Sequence, residues 1–334
     1  MEKKERHRTE ILNALGKAAN PVPSSRLAHD LSVAGYHLSE RTVRLYLKEL
    51  DAEGLTEAHG RRGRVITEQG LAELHAAQIL ERVGYLSAKI DQMTYSMTFD
   101  LATRTGEVVV NTSLVNPRQL AANTDAVCKV FADGYAMGNR LALLAPGETV
   151  GGVTVPQDRI GFCTVCSITL NGVLLKHGVP TNSRFGGLLE LRNGQPTRFV
   201  EMIHYDGTSI DPLEVFIRSR MTDYCGAIRE GNGLIGASYR EMPEDSRDHV
   251  LHLGERLSAV GLGAFMEVGL PGQPVLGLPV PHGRIGSVVA GGLNPIAILE
   301  EMGHRVFSRA LAGLLDYNRL FAFEELPNVL KEYL

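Results

Sequence analysis

The segment Pro146–Gly161, PGETVGGVTVPQDRIG, returns as Pro271–Gly286, PGQPVLGLPVPHGRIG, at an offset of 271 − 146 = 125 residues. Pro146, Gly147, Val150, Gly152, Val155, Pro156, Arg159, Ile160 and Gly161 all recur at that spacing. Without a gap, the same offset pairs Phe99 with Tyr224, Gly106 with Gly231, Ser113 with Ser238 and Gly138 with Gly263. It also pairs Gly178 with Gly303, Ser183-Arg184 with Ser308-Arg309, and Leu189 with Leu314. Self-similarity at a fixed period identifies a duplicated unit. The copies run from about 85 to 210 and from about 211 to 334, so this part of the chain must fold as two like halves about a pseudo-twofold axis. A pocket on that axis is expected to present like residues from both halves.

Hydrophobic patterning gives each copy a mixed content. In the first it predicts strands at Tyr95–Asp100 and Val108–Ser113, a helix over Pro117–Met137 and a strand at Arg140–Leu144. A Gly/Pro-rich loop follows, then a strand at Arg159–Val165, a helix at Ser167–His177 and further strands to about Met202. Runs of strands with covering helices favour an α+β arrangement, an α/β sandwich, over a doubly wound sheet.

Residues 1–84 have a different character. A helix over residues 3–19 turns Ile11, Leu12, Leu15 and Ala18 inward; Pro21 and Pro23 end it, and Ser24 caps a second helix carrying Leu27, Ala28 and Leu31. In SERTVRLYLKELDAEGL (residues 39–55), Val43, Tyr46, Leu47 and Leu50 form one apolar stripe at helical spacing, and Arg41, Arg44 and Lys48 lie on another face. Ser39 is a good N-cap, Gly54 sits where a C′ glycine belongs, and Gly35 lies in the turn between the helices. Leu55–Ala58 and Arg64–Thr67 read as strands around a basic tip, His59-Gly60-Arg61-Arg62-Gly63. Helix, turn, basic helix and basic hairpin is the layout of a winged helix-turn-helix, which sets its second helix in the major groove and its wing on the backbone. The DNA-binding residues expected on this basis are Ser39, Arg41, Thr42, Arg44, Lys48, Arg61, Arg62 and Arg64. A further helix, with Leu71, Leu74, Ile79 and Leu80 apolar, runs to about Val83, and Gly84 marks the domain boundary.

The net charge of −4 looks wrong for a DNA binder until it is divided. Of 34 Lys/Arg and 38 Asp/Glu, 13 and 12 fall in residues 1–84, so this part is +1 and the remainder −5. A focused basic patch, rather than net charge, grips phosphates. A hydrophobic content of 44% argues for packed domains. The N-terminus lacks the apolar core of a signal peptide, no apolar run approaches a membrane span, and four cysteines in such a chain suit a reducing cytoplasm.

The motifs GRRGRVITEQG, VNTSLV, PGETVGGVTVPQDRIGFCTVCSITLNGVLLKHGVPTNSRFGGLLE and PVPHGRIGSVVAGGLNPIAILEEMG together resemble the NrpR family of nitrogen-regulatory repressors over essentially the whole chain. The resemblance implies a cytoplasmic, dimeric repressor of nitrogen-assimilation genes on palindromic duplex operators, released when 2-oxoglutarate binds the regulatory domain. It implies no cofactor, no metal and no catalysis. The best-known members carry two such domains in tandem, whereas this chain has room for one.

A dicarboxylate effector asks for arginines, hydroxyls and helix N-termini. Arg159, Arg284, Arg184 and Arg309 supply the first; Thr164, Ser167, Thr181, Ser183 and Ser308 supply the second; and the helix starts near Ser167 and Leu293 supply the third. A competing reading is that these arginines brace the Gly/Pro loop. Cys163-Thr-Val-Cys166, between strand and helix, is read as small residues lining the effector pocket. The alternative is a redox-active or metal-binding enzyme domain fused to the winged helix, but no second CxxC or His pair completes a zinc set. No nucleophile elbow, P-loop or dinucleotide fingerprint is present. His177, His204 and His282 read as core or surface residues.

Overall fold

In a computed structural model of the chain, residues 3–18, 20–33, 36–71, 73, 74, 85–263 and 265–334 are described. The chain divides into two compact units, Met1–Gly84 and Tyr85–Leu334.

The first unit has three helices, α1 (Lys3–Gly16), α2 (Ser24–Val33) and α3 (Glu40–Ala52), followed by the antiparallel strands β1 (Thr56–Ala58) and β2 (Arg64–Ile66). Val22 pairs with Arg64 as a third, one-residue strand. The apolar stripe of α3 drives the packing: Val43, Leu47 and Leu50 are fully buried against Ile11, Leu15, Leu27 and Leu31, while Tyr46 is half-buried. Each such aliphatic side chain contributes on the order of 1.5–3 kcal/mol. The Ser39 side chain accepts from the Thr42 N–H at 3.2 Å, a cap whose loss costs about 1 kcal/mol. Gly54 follows the helix at φ +76, as its C′ position requires. Two local expectations are corrected. α1 stops at Gly16 rather than residue 19, and Ser24 is the first helical residue of α2, its hydroxyl bonded to Glu40 and Arg44 instead of capping. Residues 68–71, 73 and 74 are helical; Ile79, Leu80, Gly35 and Gly84 lie outside the described residues.

The wing depends on Gly63. Its φ of +116 is costly for other residues, and a Cβ there would meet the Val22 carbonyl carbon and oxygen at 2.3 Å. Gly63→Ala is expected to destabilise this unit by about 1–3 kcal/mol, read by chemical denaturation. An unchanged midpoint would mean that the wing does not require this close approach.

The second unit holds two five-stranded antiparallel sheets. Its first half supplies β3 (Glu107–Val115), β4 (Arg140–Leu144), the small hairpin β5 (Thr149–Val150) and β6 (Val153–Thr154), β7 (Ile160–Val165), β8 (Asn182–Arg192) and β9 (Gln195–His204). Its second half supplies β10 (Gly233–Pro243), β11 (Phe265–Val268), β12 (Arg284–Ala290), β13 (Phe307–Asp316) and β14 (Phe321–Ala322). One sheet runs β13-β3-β7-β4-β14 and the other β11-β12-β10-β8-β9. β3, β4 and β7 occupy the places that their sequence equivalents β10, β11 and β12 hold in the other sheet, but β13 joins the first half's sheet and β8 the second half's, while β9 lies beside β8 and β14 beside β4. The two copies have exchanged their fourth strands.

β7 is buried along its whole length, and most of β3 and β12 is buried, as strands covered on both faces require. The helices Ile168–Lys176 and Asn294–Glu301, equivalent by the repeat, are almost wholly buried. Thr169 and Asn294, at matching positions, each bond strand backbone: Thr169 Oγ1 donates to Val109 O at 2.9 Å, and Asn294 Nδ2 donates to Gly236 O at 2.8 Å.

The expected strand at Tyr95–Asp100 is corrected. Leu86–Ser96 is a helix with Leu86 and Ile90 buried, and Asp100 makes only an isolated bridge to Thr105. The single helix expected over Pro117–Met137 is two, Pro117–Ala122 and Thr124–Ala132, broken at Asn123. Helix Pro212–Arg218 precedes Tyr224–Glu230, and Arg247–Ala259 follows β10.

Candidate functional site

On α3, Arg41 and Lys48 are exposed, with no hydrogen bond or ion pair among the described residues, and Arg62 in the wing is likewise exposed. Arg44 is committed internally: its guanidinium meets Glu40 Oε1 at 2.5 Å and donates from Nε to Ser24 Oγ at 3.1 Å. The hydrogen bond that Ser24 Oγ donates to Glu40 Oε1 at 3.0 Å, and then that from Arg44, hold the Glu40 carboxyl below its usual pKa. Arg64 is also committed, its Nε 2.8 Å from Asp51 Oδ2, and the Thr56 hydroxyl donates to Asp51 Oδ1. Ser39 and Thr42 share a 2.8 Å hydroxyl contact at the start of α3. The side chain of Arg61 lies outside the described residues. The basic face foreseen from spacing thus contains two braces as well as free cations.

In the second unit the expected effector residues do not converge on one axial pocket. Arg159 lies 3.8 Å from Asp158 and stacks over the Phe307 ring at 5.6 Å. Arg284, its repeat equivalent, starts β12 opposite Pro243. Cys163 and Thr164 are inside the β7 core, where Cys163 Sγ meets Thr112 Oγ1 at 3.4 Å and Thr164 Oγ1 accepts from Asn111. Arg184 is exposed, with Glu241 at 3.7 Å.

Its equivalent, Arg309, has different surroundings. Together with Ser308 it lines a cleft of about 260 Å³ walled by Leu86, Lys89, Asp211, Glu214 and Arg218. The order of elements explains the convergence. The helix Leu86–Ser96 brings Lys89, the helix Pro212–Arg218 brings Glu214 and Arg218, and β13, lent by the second half, brings Ser308 and Arg309. Ser308 Oγ lies 2.8 Å from Ser113 Oγ on β3, fixing the register of the lent strand.

The charges of this cleft do not cancel. Glu214 accepts from Ala310 N–H at 2.6 Å and pairs with Arg218 at 3.1 Å, so both are occupied. Burial, reinforced by Glu214, pushes the Asp211 carboxyl up to about 7, so it is only partly ionised at neutral pH. Lys89 and Arg309 have no hydrogen bond or ion pair among the described residues. Burial and then repulsion from Arg309 lower the Lys89 pKa, which marks an ammonium lacking a strong counter-charge. Such a cleft favours an anion.

Cys163 and Cys166 are free thiols in different environments. Cys163 sits beside Thr112 and within reach of Arg319 and Glu148, whereas Cys166 is near Arg240 and Asp211. Burial pushes both up to about 11, the opposite of what a reactive thiolate needs. In the native protein at pH 8, neither is expected to react with iodoacetamide on a timescale at which denatured chain is fully modified, as mass spectrometry would read. Rapid native modification of either thiol would restore the redox reading. Among the described residues, no group of three or more His, Cys, Asp or Glu could hold a metal, and no helix is long and apolar enough to cross a membrane.

Lys89, Asp211, Glu214 and Arg218 were not foreseen. Their one-sided signal is weak: each is a single charge on a short amphipathic segment with no motif around it.

A winged helix joined to a duplicated, cleft-bearing α/β unit is the architecture of a DNA-binding regulator, and the comparisons with known proteins agree. Residues 83–322 match the family of NrpR regulatory domains NRD1 and 2, and residues 9–74 match the ribonuclease R winged-helix domain. The global nitrogen regulator NrpRI of Methanosarcina mazei is 32% identical over 316 residues, covering 95% of this chain and 97% of the relative. The global nitrogen regulators NrpR of Methanococcus maripaludis and Methanocaldococcus jannaschii are each 32% identical, over 93% and 95% of this chain. The chain spans only about half of each of those two proteins, 54% and 55%. The crystal structure of a nitrogen repressor-like protein from Methanococcus jannaschii superposes with a TM-score of 0.61 at 25% identity, over 72% of this chain and 99% of that one. The chain belongs to the NrpR family.

Proposed function

We propose that this chain is a nitrogen-responsive repressor that binds a palindromic operator as a dimer. In this reading it releases the operator when a small organic acid such as 2-oxoglutarate enters the cleft between Lys89 and Arg309. The observation that carries the reading is the pair of unmatched cations there, in a cavity of dicarboxylate size. Arg41, Lys48 and Arg62 meet phosphates or base edges, Ser39 and Thr42 set the start of the recognition helix, and Arg44 and Arg64 hold helix and wing in place. Arg309 and Lys89 receive the carboxylates, with Ser308 alongside.

Because β13 crosses from one half to the other and carries Arg309, an acid bound there contacts elements of both. Its leverage on DNA affinity equals its differential affinity for the two arrangements of the dimer. The test is an operator titration by fluorescence anisotropy with and without 2-oxoglutarate. A duplex affinity that the acid leaves unchanged would refute the effector assignment. The likeness of the first unit to a ribonuclease winged helix makes RNA the competing ligand, and single-stranded RNA outcompeting the palindrome would favour it.

A further inference from the structure

Leu45 lies in the N-terminal half of α3 and is 59% exposed. With about 3.6 residues per turn, it faces almost directly away from Val43, Leu47 and Leu50, the stripe that holds the helix to its unit. Arg41, four residues before it, and Lys48, three residues after it, are exposed on the same side. A lone leucine on a surface needs no explanation. This one stands between two cations, at the centre of the face that a recognition helix turns to its duplex.

The rest of that face has been cleared of negative charge. Every carboxylate of α3 and its C-cap is engaged by another group of the same unit. Glu40 accepts from Ser24 and Arg44, and Asp51 from Thr56 and Arg64. Arg8 on α1 donates to Glu53 at 2.8 Å and approaches Glu49 at 3.9 Å. Arg41, Leu45, Lys48 and Ala52, spaced by four and three, therefore form an exposed strip without an acid. Such a strip complements a polyanion and offers it one large apolar group.

We infer that Leu45 is a specificity-determining residue that reads the C5-methyl group of a thymine in the major groove. This role rests on the duplex binding proposed for the first unit. Base edges in that groove present ring nitrogens, carbonyl oxygens and amino groups, and the thymine methyl is the apolar group among them. A leucine pressed on any of the polar atoms would strip its water and give it no partner, a cost that discriminates against those bases. Against a methyl group the same side chain gains by burial. Arg41 and Lys48, on phosphates, set the depth and angle of the helix but carry no sequence information there.

The experiment starts from the tightest duplex that the full native chain selects from a random pool. Each thymine is then replaced in turn by deoxyuridine, which keeps the base pair and removes only the methyl group, and affinity is read by fluorescence anisotropy. At one position per half-site the replacement should weaken binding about fourfold, and about sixteenfold when both half-sites carry it. No counterion is released at a methyl contact, so that factor should hold constant while added salt lowers the total affinity. Leu45→Ala should bind the thymine and deoxyuridine duplexes within about twofold of each other, whereas Leu45→Met, apolar and of similar size, should retain the penalty. Both variants should keep the native unfolding midpoint, because the side chain is exposed. If every methyl can be removed from the selected duplex without loss, or if Leu45→Ala keeps the full penalty, the role of Leu45 is overturned and DNA binding stands. A native chain that enriches no duplex would overturn both. A dimeric chain made monomeric by Leu45→Ala in the absence of DNA would assign the leucine to a contact between copies, and so overturn its role at the bases.

Discussion

Replacing both Arg41 and Lys48 with alanine is expected to weaken operator binding about sixtyfold at 0.1 M salt and to flatten its salt dependence by about two counterions. Each neutralised phosphate contributes about 0.9 to the slope of log affinity against log salt, or about eightfold at 0.1 M. The two residues are exposed and free of ion pairs among the described residues, so their removal should leave the unfolding free energy of the first unit within about 0.5 kcal/mol of the native value. Arg44→Ala should behave in the opposite way. Its guanidinium joins Glu40 and Ser24, so its loss should loosen α2 against α3 and change the salt slope by less than one. A salt slope unmoved by the double replacement would take Arg41 and Lys48 off the phosphate interface.

Arg309→Ala is expected to raise the 2-oxoglutarate concentration needed for half-release about thirtyfold, with basal operator affinity unchanged. Removing one charged partner from a desolvated anion contact costs about 2–5 kcal/mol, and because Arg309 is exposed the lower end applies. Lys89→Met should act in the same direction. Arg184→Ala is the internal control: it is the repeat equivalent of Arg309, but Glu241 stands beside it at 3.7 Å. If Arg184→Ala shifts release as much as Arg309→Ala, the cleft is not where the acid is read.

The legible parts of this fold were those set by local chemistry. The apolar stripe Val43–Leu47–Leu50, the Ser39 cap and Gly54 are short-range signals, and α3 follows from them within a residue at each end. The duplication was also visible, and the strands Arg140–Leu144 and Ile160–Val165 fall where expected. Leu86–Ser96 was missed because the alternating stretch ending at Asp100 suggested a strand, while tertiary packing of Leu86 and Ile90 decided for a helix. Which cations would be spent on internal braces could not be read from spacing. Arg44 and Arg41 share a face, and only the position of Ser24, on another helix, separates their roles. The cleft was half-legible: Arg309 and Ser308 stood out through the repeat, whereas Lys89 and Asp211 lie on segments that align at the repeat offset without matching, Lys89 with Glu214 and Asp211 with Leu86.

The crossing of β8 and β13 bears on how such a protein could arise. A gene encoding one copy would make a polypeptide whose fourth strand, the equivalent of β8 and β13, completes only another molecule's sheet, so the smallest closed object would be two chains interlocked. Tandem fusion supplies that second molecule at the effective concentration of a tether, removing the dependence on dilution. It also frees the two halves to mutate independently: one has Arg184 beside Glu241, and the other has the same arginine, Arg309, in the wall of the cleft.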